Sequence, residues 1–311
     1  FYDITVIDWL LYTLVRFLIA ILSFLPNKIR FKLLSFIIQA STALIPSFKR
    51  VSLINLKLAF PNMDSSWYQM QITRSCDSLA LAISDFVRLP TISESWIVTH
   101  VNFPFFERYK ELKKTELKKG IIVATGHLGS FELQAYLASV LGYPISFVVR
   151  NFKAERLDAW WNLRREKFGN KVIPRKGAYK KIISEIKSGR DVGILFDQNV
   201  KRSHAVFVDW FGKKAATTKS LALAALDTES RVLVASLKTL EFDRYSMQVV
   251  ECDFTSLYEN KNMTRKEKIF EITQTVSKHY EDMIRDFPEG WFWMHRRWKT
   301  TETEDQPEDF Y

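Results

Sequence analysis

From Ile4 to Leu25 the chain reads ITVIDWLLYTLVRFLIAILSFL, apolar almost throughout and broken by the charges of Asp8 and Arg16. As a helix, this stretch extends about 33 Å, roughly the thickness of bilayer hydrocarbon. A charge near the bilayer centre costs a few kcal/mol unless it reaches the interface or finds a partner. A spanning helix and a helix lying in the interface both stay open. A second apolar stretch, FKLLSFIIQASTALIP, follows closely, flanked by Lys28, Arg30, Lys32, Lys49 and Arg50. Basic residues just after the first segment imply membrane attachment with the body on the cytoplasmic side. The bland alternative is a pair of buried core helices. A secretory signal fits less well, because no basic n-region precedes the segment and no small-residue cleavage site follows SFLP.

Past these segments the period changes. Between Pro61 and Pro90, Leu79, Ile83 and Phe86 recur at helical spacing. Phe105, Tyr109 and Leu112 predict a second amphipathic helix, with the lysines of ELKKTELKKG on its solvated side and Gly120 as its stop. Short apolar runs then alternate with helical patterns: GIIVATG, ISFVV, KVI and DVGILF are separated by helices from about Ser130, through AERLDAWWNLRREKFG and through AYKKIISEIKSG. Such alternation predicts β-α-β units, hence an α/β fold with a mixed, largely parallel sheet covered by helices. AVFVDWF, RVLVASLKTL and YSMQVVEC add strands around the helical TTKSLALAALDT. A last helix carries Ile269, Ile272, Val276 and Met283 on one stripe and precedes FPEGWFWMHRRWK. The division expected is residues 1–46 as membrane-anchoring or interfacial helices, 47–300 as the α/β domain and 301–311 as an acidic, flexible tail.

Composition narrows the picture only in part. With 311 residues and 47% hydrophobic content the chain can bury a large core. The net charge of +10 favours an anionic partner, whether a phospholipid surface, a phosphorylated substrate, an acidic protein or nucleic acid. No nucleic-acid-binding motif accompanies the charge. The two cysteines, Cys76 and Cys252, are far apart and lack metal-ligand spacing, and the histidines are scattered, so neither a disulfide framework nor a zinc site is expected.

The chemistry-bearing stretch is TGHLGSFEL, residues 125–133, directly after the apolar run IIVA. In open α/β sheets substrates bind beyond the carboxyl ends of strands, which is where His127 falls. If a helix begins near Ser130, Glu132 lies in its first turn, within reach of the imidazole and able to fix its tautomer. The other ring nitrogen then removes a proton from an alcohol that attacks a carbonyl. The amides of Gly129 and Ser130, at the helix N-terminus, are expected to donate to the developing oxyanion. An isolated His-x4-Glu is a weak pattern and is more often structural. No G-x-S-x-G elbow supports a serine hydrolase.

Taken together, the motifs resemble the late acyltransferases of lipid A biosynthesis and related bacterial glycolipid acyltransferases of the lysophospholipid acyltransferase superfamily. The resemblance runs along nearly the whole chain: the apolar beginning and LINLKLAFP, then GHLGSFEL, then VVRNF, then GILFDQN with VFVDWFGKKAATTKSLALAAL, and last PEGWFWMHRRWK. Pro288, Glu289 and Gly290 look like the Pro-Glu-Gly block of glycerol-phosphate acyltransferases. They stand too far beyond His127, so that assignment is not carried over.

The resemblance implies transfer of a fatty acyl group from a thioester, on acyl carrier protein or coenzyme A, to a hydroxyl of an anionic membrane glycolipid, without a cofactor or metal. It places the protein at a bacterial inner membrane, on the cytoplasmic face. His127 matches the family's base and Glu132 its carboxylate partner. Arg150 matches an arginine that holds a phosphate or polarises the acyl carbonyl; otherwise it is a surface residue. Asp197 and Gln198 either bind the acceptor sugar or brace the His127 loop. Arg175, with Lys176, contacts an anionic headgroup or is simply solvated. His295, Arg296 and Arg297 engage lipid phosphates, or else Trp291, Trp293 and Trp298 pack while the arginines face water. Acylation of a lysophospholipid or another glycolipid, and a non-catalytic lipid-binding relative, are the competing functions.

Overall fold

The computed structural model describes residues 2–115, 119–304, 306–307 and 310–311, with side chains from residue 6 onward. The end of the lysine-rich run ELKKTELKKG lies partly outside the described residues. Three helices open the chain, α1 (Tyr2–Phe24), α2 (Asn27–Leu44) and α3 (Pro46–Ala59). The long α4 (Ser65–Arg88) follows, started by Asp64, whose carboxylate accepts from the Trp67 amide at 2.7 Å. Next come α5 (Glu94–His100), β1 (Val101–Asn102), α6 (Phe106–Thr115), β2 (Ile122–Thr125), α7 (Phe131–Val140) and β3 (Ser146–Val149). Then follow α8 (Glu155–Arg165), β4 (Lys171–Pro174), α9 (Ala178–Lys187) and β5 (Val192–Leu195). A hairpin of β6 (Ala205–Trp210) and β7 (Lys213–Thr218) leads to α10 (Ser220–Thr228), β8 (Val232–Glu241), β9 (Arg244–Cys252), α11 (Thr255–Glu259) and α12 (Arg265–Asp286). A capping box between Thr264 and Glu267 starts α12.

The strands form a seven-stranded sheet in the order β1-β9-β8-β2-β5-β3-β4. Within that sheet, among the described residues, only the β8–β9 pair is antiparallel, so the expected mixed, largely parallel sheet is what forms; β6 and β7 pair antiparallel apart from it. One face, with Ile122, Ala124, Ile194 and Val234, is buried under α9, α10 and α12. The other face, with Ala235, Leu237 and Met247, packs on α4 and α7. β1 and β7 lie where no strand was expected: the first is two residues long, and KKAATT lacks an alternating pattern.

The first apolar helix is long and apolar enough over Val6–Phe24 to cross a membrane. The second stretch behaves differently, because α2 packs on α4. There Leu34 is buried, Arg30 Nε donates to Ser84 at 2.8 Å and Gln39 donates to Asp77 at 2.8 Å. Its opposite side leaves Phe36 exposed. The expected frayed tail is corrected at its last residue. Tyr311 is buried, its hydroxyl donates to Asn55 Oδ1 at 2.8 Å, and it accepts from the Trp298 amide at 2.9 Å.

Asn55 shows what the LINLKLAFP segment contributes. Fully buried in α3, its amide donates to the carbonyls of Trp293 and His295, both at 2.7 Å. One side chain therefore holds three points of the chain's last segment. Asn55→Ala leaves the Trp293 carbonyl unpaired and takes one of two partners from His295 O and from the Tyr311 hydroxyl, at about 1–3 kcal/mol for the group left unpaired. The urea midpoint of unfolding should fall accordingly; a midpoint unchanged from wild type would contradict this role.

Candidate active site

The register of two neighbouring strands builds the site. β2 and β5 run parallel with Thr125 level with Leu195, and Phe196 N–H donates to Thr125 O at 3.0 Å. Two positions beyond the ends of these strands, His127 and Asp197 therefore meet. Asp197 Oδ1 accepts from His127 Nδ1 at 3.0 Å and Oδ2 from the His127 amide at 2.7 Å. The Trp291 indole N–H supplies a further bond to Oδ2 at 2.9 Å. Gly126 makes room for this carboxylate, since a Cβ there would lie 2.4 Å from Asp197 Cγ.

Glu132 is placed otherwise than expected. It does sit in the first turn of α7, but its carboxylate is gripped by the Arg165 guanidinium of α8, with Nε to Oε2 at 3.2 Å and Nη2 to Oε1 at 2.5 Å. The partner that orients the imidazole is Asp197, which leaves His127 Nε2 toward the cavity. Gln198 Nε2 lies 3.4 Å from both ring nitrogens. Phe131 and Phe292 confine the ring, with centroids 5.0 and 6.4 Å away.

The oxyanion expectation for Gly129 and Ser130 is corrected, because both amides are already engaged. Gly129 N–H donates to Gly290 O at 2.9 Å and Ser130 N–H to Leu237 O at 3.2 Å. Gly129 adopts φ +64°, and a Cβ would lie 2.0 Å from Leu237 O, so the loop is pressed onto β8. The Ser130 hydroxyl donates to the buried carboxylate of Asp85 on α4, which also takes the Tyr245 hydroxyl and the Arg88 guanidinium. These residues fix the loop; they do not face the cavity.

The final block also belongs to the site's framework. Leu128 bridges to Trp291, and Phe292 N–H donates to His127 O at 3.1 Å. The Pro-Glu-Gly stretch thus backs the histidine loop from behind. His295 and Arg297 were expected on lipid phosphates, or else the arginines in water with Trp291, Trp293 and Trp298 packing; the tryptophans are buried, but His295 and Arg297 are held inside the framework. Burial lowers the His295 pKa to about 4, and its Nε2 accepts from the Asn199 amide at 2.8 Å. Arg297 is wholly buried, donating to Ala216 O and Thr217 Oγ1 under the Trp210 ring. Arg296 is the exposed member.

A cavity of about 770 Å³ opens at His127, within the usual range of ligand sites. Along the α7 side of the sheet its walls include Val123, Phe147, Gly193, Ala235, Ala135 and Ala138. It reaches Tyr109, which packs with Ile121 at the opposite end of β2. Six residue steps along β2 separate that point from His127, about 20 Å. The mouth carries Glu132, Arg165, Phe152 and the exposed Arg150 and Arg175. Arg150 and Arg175 have no side-chain hydrogen bond or ion pair among the described residues, leaving both guanidinium groups free for an anion. No group of residues suited to a metal occurs among those described.

Electrostatics follow from the His–Asp pair. Burial opposes charge on His127, but the attraction and hydrogen bond of Asp197, with a smaller pull from Glu132, raise its pKa above the ordinary value of 6.5. Asp197 is buried, which alone would raise its pKa, yet the His127 ring, its amide and Trp291 hold it at about 2. Sequence reasoning missed Arg165 and Gly126, read Trp291 only as a packing residue and reached Asn55 only as part of LINLKLAFP. Of the two missed, Gly126 adjoins the histidine and so left a local signal.

A histidine whose carboxylate comes from the neighbouring strand lies against a long, largely apolar cavity in an α/β domain. The chain belongs to the bacterial lipid A biosynthesis acyltransferase family, whose model matches residues 3–300. It is 24% identical to the lipid A biosynthesis myristoyltransferase of Escherichia coli K12 over 208 residues, 67% of this chain and 64% of that protein. The alignment thus spans less than two thirds of that relative. Over 251 residues it is 24% identical to the lipid A biosynthesis palmitoleoyltransferase of the same organism, covering 79% and 77% of the two chains. A lipid A biosynthesis acyltransferase of Haemophilus influenzae is 20% identical over 241 residues, 77% and 72% of the two chains.

Two measurements test this geometry. A base works only when neutral, so the acid limb of the activity profile should lie above the ordinary histidine pKa; Asp197→Asn should move it down while lowering the rate. Gly126→Ala, which pushes Asp197 aside, should cost about 10²-fold or more in turnover, with little change in the far-UV circular dichroism spectrum. An unaltered limb or full turnover would sink the assignment.

Proposed function

We propose that the protein transfers a fatty acyl group from a thioester, on acyl carrier protein or coenzyme A, to a hydroxyl of a lipid A precursor at the cytoplasmic face of the inner membrane. The observation that carries this reading is the placement of His127, with Nδ1 tied to Asp197, at the entrance of an apolar cavity about 20 Å long. His127 Nε2 takes the proton of the acceptor hydroxyl as its oxygen attacks the thioester carbonyl. The tetrahedral intermediate expels the thiolate, which recovers that proton from the imidazolium. Asp197 stabilises the imidazolium throughout.

The acyl chain lies along the α7 side of the sheet, and Arg150 and Arg175 hold phosphate groups of the acceptor or donor at the mouth. Glu132 serves as a second carboxylate near the imidazole, with its position set by Arg165. A net charge of +10 draws both an acidic carrier and an anionic lipid to the protein. The relatives' names in lipid A biosynthesis support the acceptor class.

His127→Ala should lower transfer by roughly 10²–10⁴-fold without loss of folded protein, read by mass spectrometry of the acylated lipid. Normal turnover would refute the mechanism. Ala138→Leu, which narrows the cavity, should shift preference toward shorter acyl donors while leaving the acid limb of the pH profile in place. An unchanged preference would show that the chain lies elsewhere.

A further inference from the structure

The first helix touches the rest of the protein along one stripe. Asp8, Tyr12, Val15, Ile19 and Leu22, at alternating spacings of four and three, are partly buried, whereas Leu10, Leu14, Phe17 and Ile21 between them are exposed. The stripe faces α8 and α4. Asp8 Oδ2 accepts from the Arg156 amide at 3.2 Å and lies 3.9 Å from Arg156 Nε, while its Oδ1 is shut away from solvent. A carboxylate from α1 thus caps the first turn of α8, which has no side-chain cap of its own. Arg16 bonds Tyr12 at 2.7 Å and lies 6.0 Å from the Trp160 ring centre on α8. Ile19 packs into the core with Phe86 and Leu89, and Leu22 O accepts from Arg30. The two charges that interrupt the apolar segment both point to α8.

Contacts from Asp8 to Leu22 hold α1 to the domain over about 21 Å. Hydrocarbon is roughly 30 Å thick, so a docked α1 that crossed it would carry α8 inside as well. That helix bears Glu155, Arg156, Asp158, Arg164 and Arg165, each costing a few kcal/mol at the bilayer centre. A helix lying in the membrane surface meets no such cost: its outer face enters the lipid and its stripe stays on protein. Leu163 of α8 and Phe152 of the β3–α8 loop are exposed apolar residues as well, and Lys153 and Arg156 of the same stretch are exposed. Asp158 of α8 holds that loop through the Phe152 amide at 2.8 Å and Asn151 Nδ2 at 2.6 Å.

We propose that α1 lies in the membrane surface, docked on α8, and does not cross the bilayer, so that the β3–α8 loop opens the cavity directly onto the lipid headgroups. The occupant of the outer face is lipid, matching its row of exposed apolar side chains and the basic residues of the α8 region. The role of the loop rests on a lipid acceptor; the attitude of α1 does not.

Nitroxide labels on single cysteines introduced at Leu10, Leu14, Phe17 and Ile21 of the full chain test the attitude, because Cys76 and Cys252 are buried. On vesicles of phosphatidylethanolamine and phosphatidylglycerol in equal parts, power saturation should place all four labels at one shallow depth. Depths that pass through the bilayer centre and return, or labels immobilised by a second copy and shielded from lipid, overturn the proposal. Asp8→Ala should raise KM for acceptor presented in those vesicles about three- to tenfold with kcat little changed. Asp8→Asn, which keeps an acceptor for the Arg156 amide, should restore most of it. An unmoved KM breaks the link between α1 and the mouth. A wild-type protein that consumes no thioester sinks the acyltransferase reading and leaves the depth result standing.

Discussion

The contact on which this molecule's site depends is the pair of hydrogen bonds from His127, ring and amide, to the carboxylate of Asp197. Removing a carboxylate from water is expensive unless every lone pair is met. Here the ring, the backbone and the Trp291 indole meet it. Because one oxygen holds the backbone and the other the ring, the same group sets both where the loop lies and which nitrogen faces the cavity.

Much of the remaining structure supports that contact. The Trp291 block is pinned to the histidine loop by backbone bonds, and Asn55 in turn pins that block from α3. On the opposite side, Ser130 ties the loop to the buried Asp85 and Leu237 takes its amide. Residues from α3, α4, β8 and the last segment thus converge on a few residues after β2. Segments far apart in sequence, LINLKLAFP, GHLGSFEL and PEGWFWMHRRWK, prove to be neighbours.

The charged residues of the apolar first helix and of the final block share a lesson. Asp8 and Arg16 look costly in a membrane, and Arg297 looks like a surface cation, when each is weighed as an isolated side chain. Asp8 instead caps α8, Arg16 lies near Trp160, and Arg297 satisfies β7 beneath Trp210. Burial lowers the pKa of Arg297 only to about 10, so it remains a cation at neutral pH and its bonds are charge-assisted.

Local periodicity and punctuation made the α/β alternation, most strands and the histidine after β2 legible, because apolar spacing and turn residues act over a few positions. Arg150 came from the resemblance and Arg175 from its place after a short strand; both line the cavity. The imidazole's partner was not. Glu132 is near in sequence and Asp197 is 70 residues away, yet strand order and register bring Asp197 to the ring and give Glu132 to Arg165. The sequence by itself determined which elements form and which residue can carry a proton; the tertiary structure decided which carboxylate answers it, since sheet neighbours are chosen by packing across the whole domain.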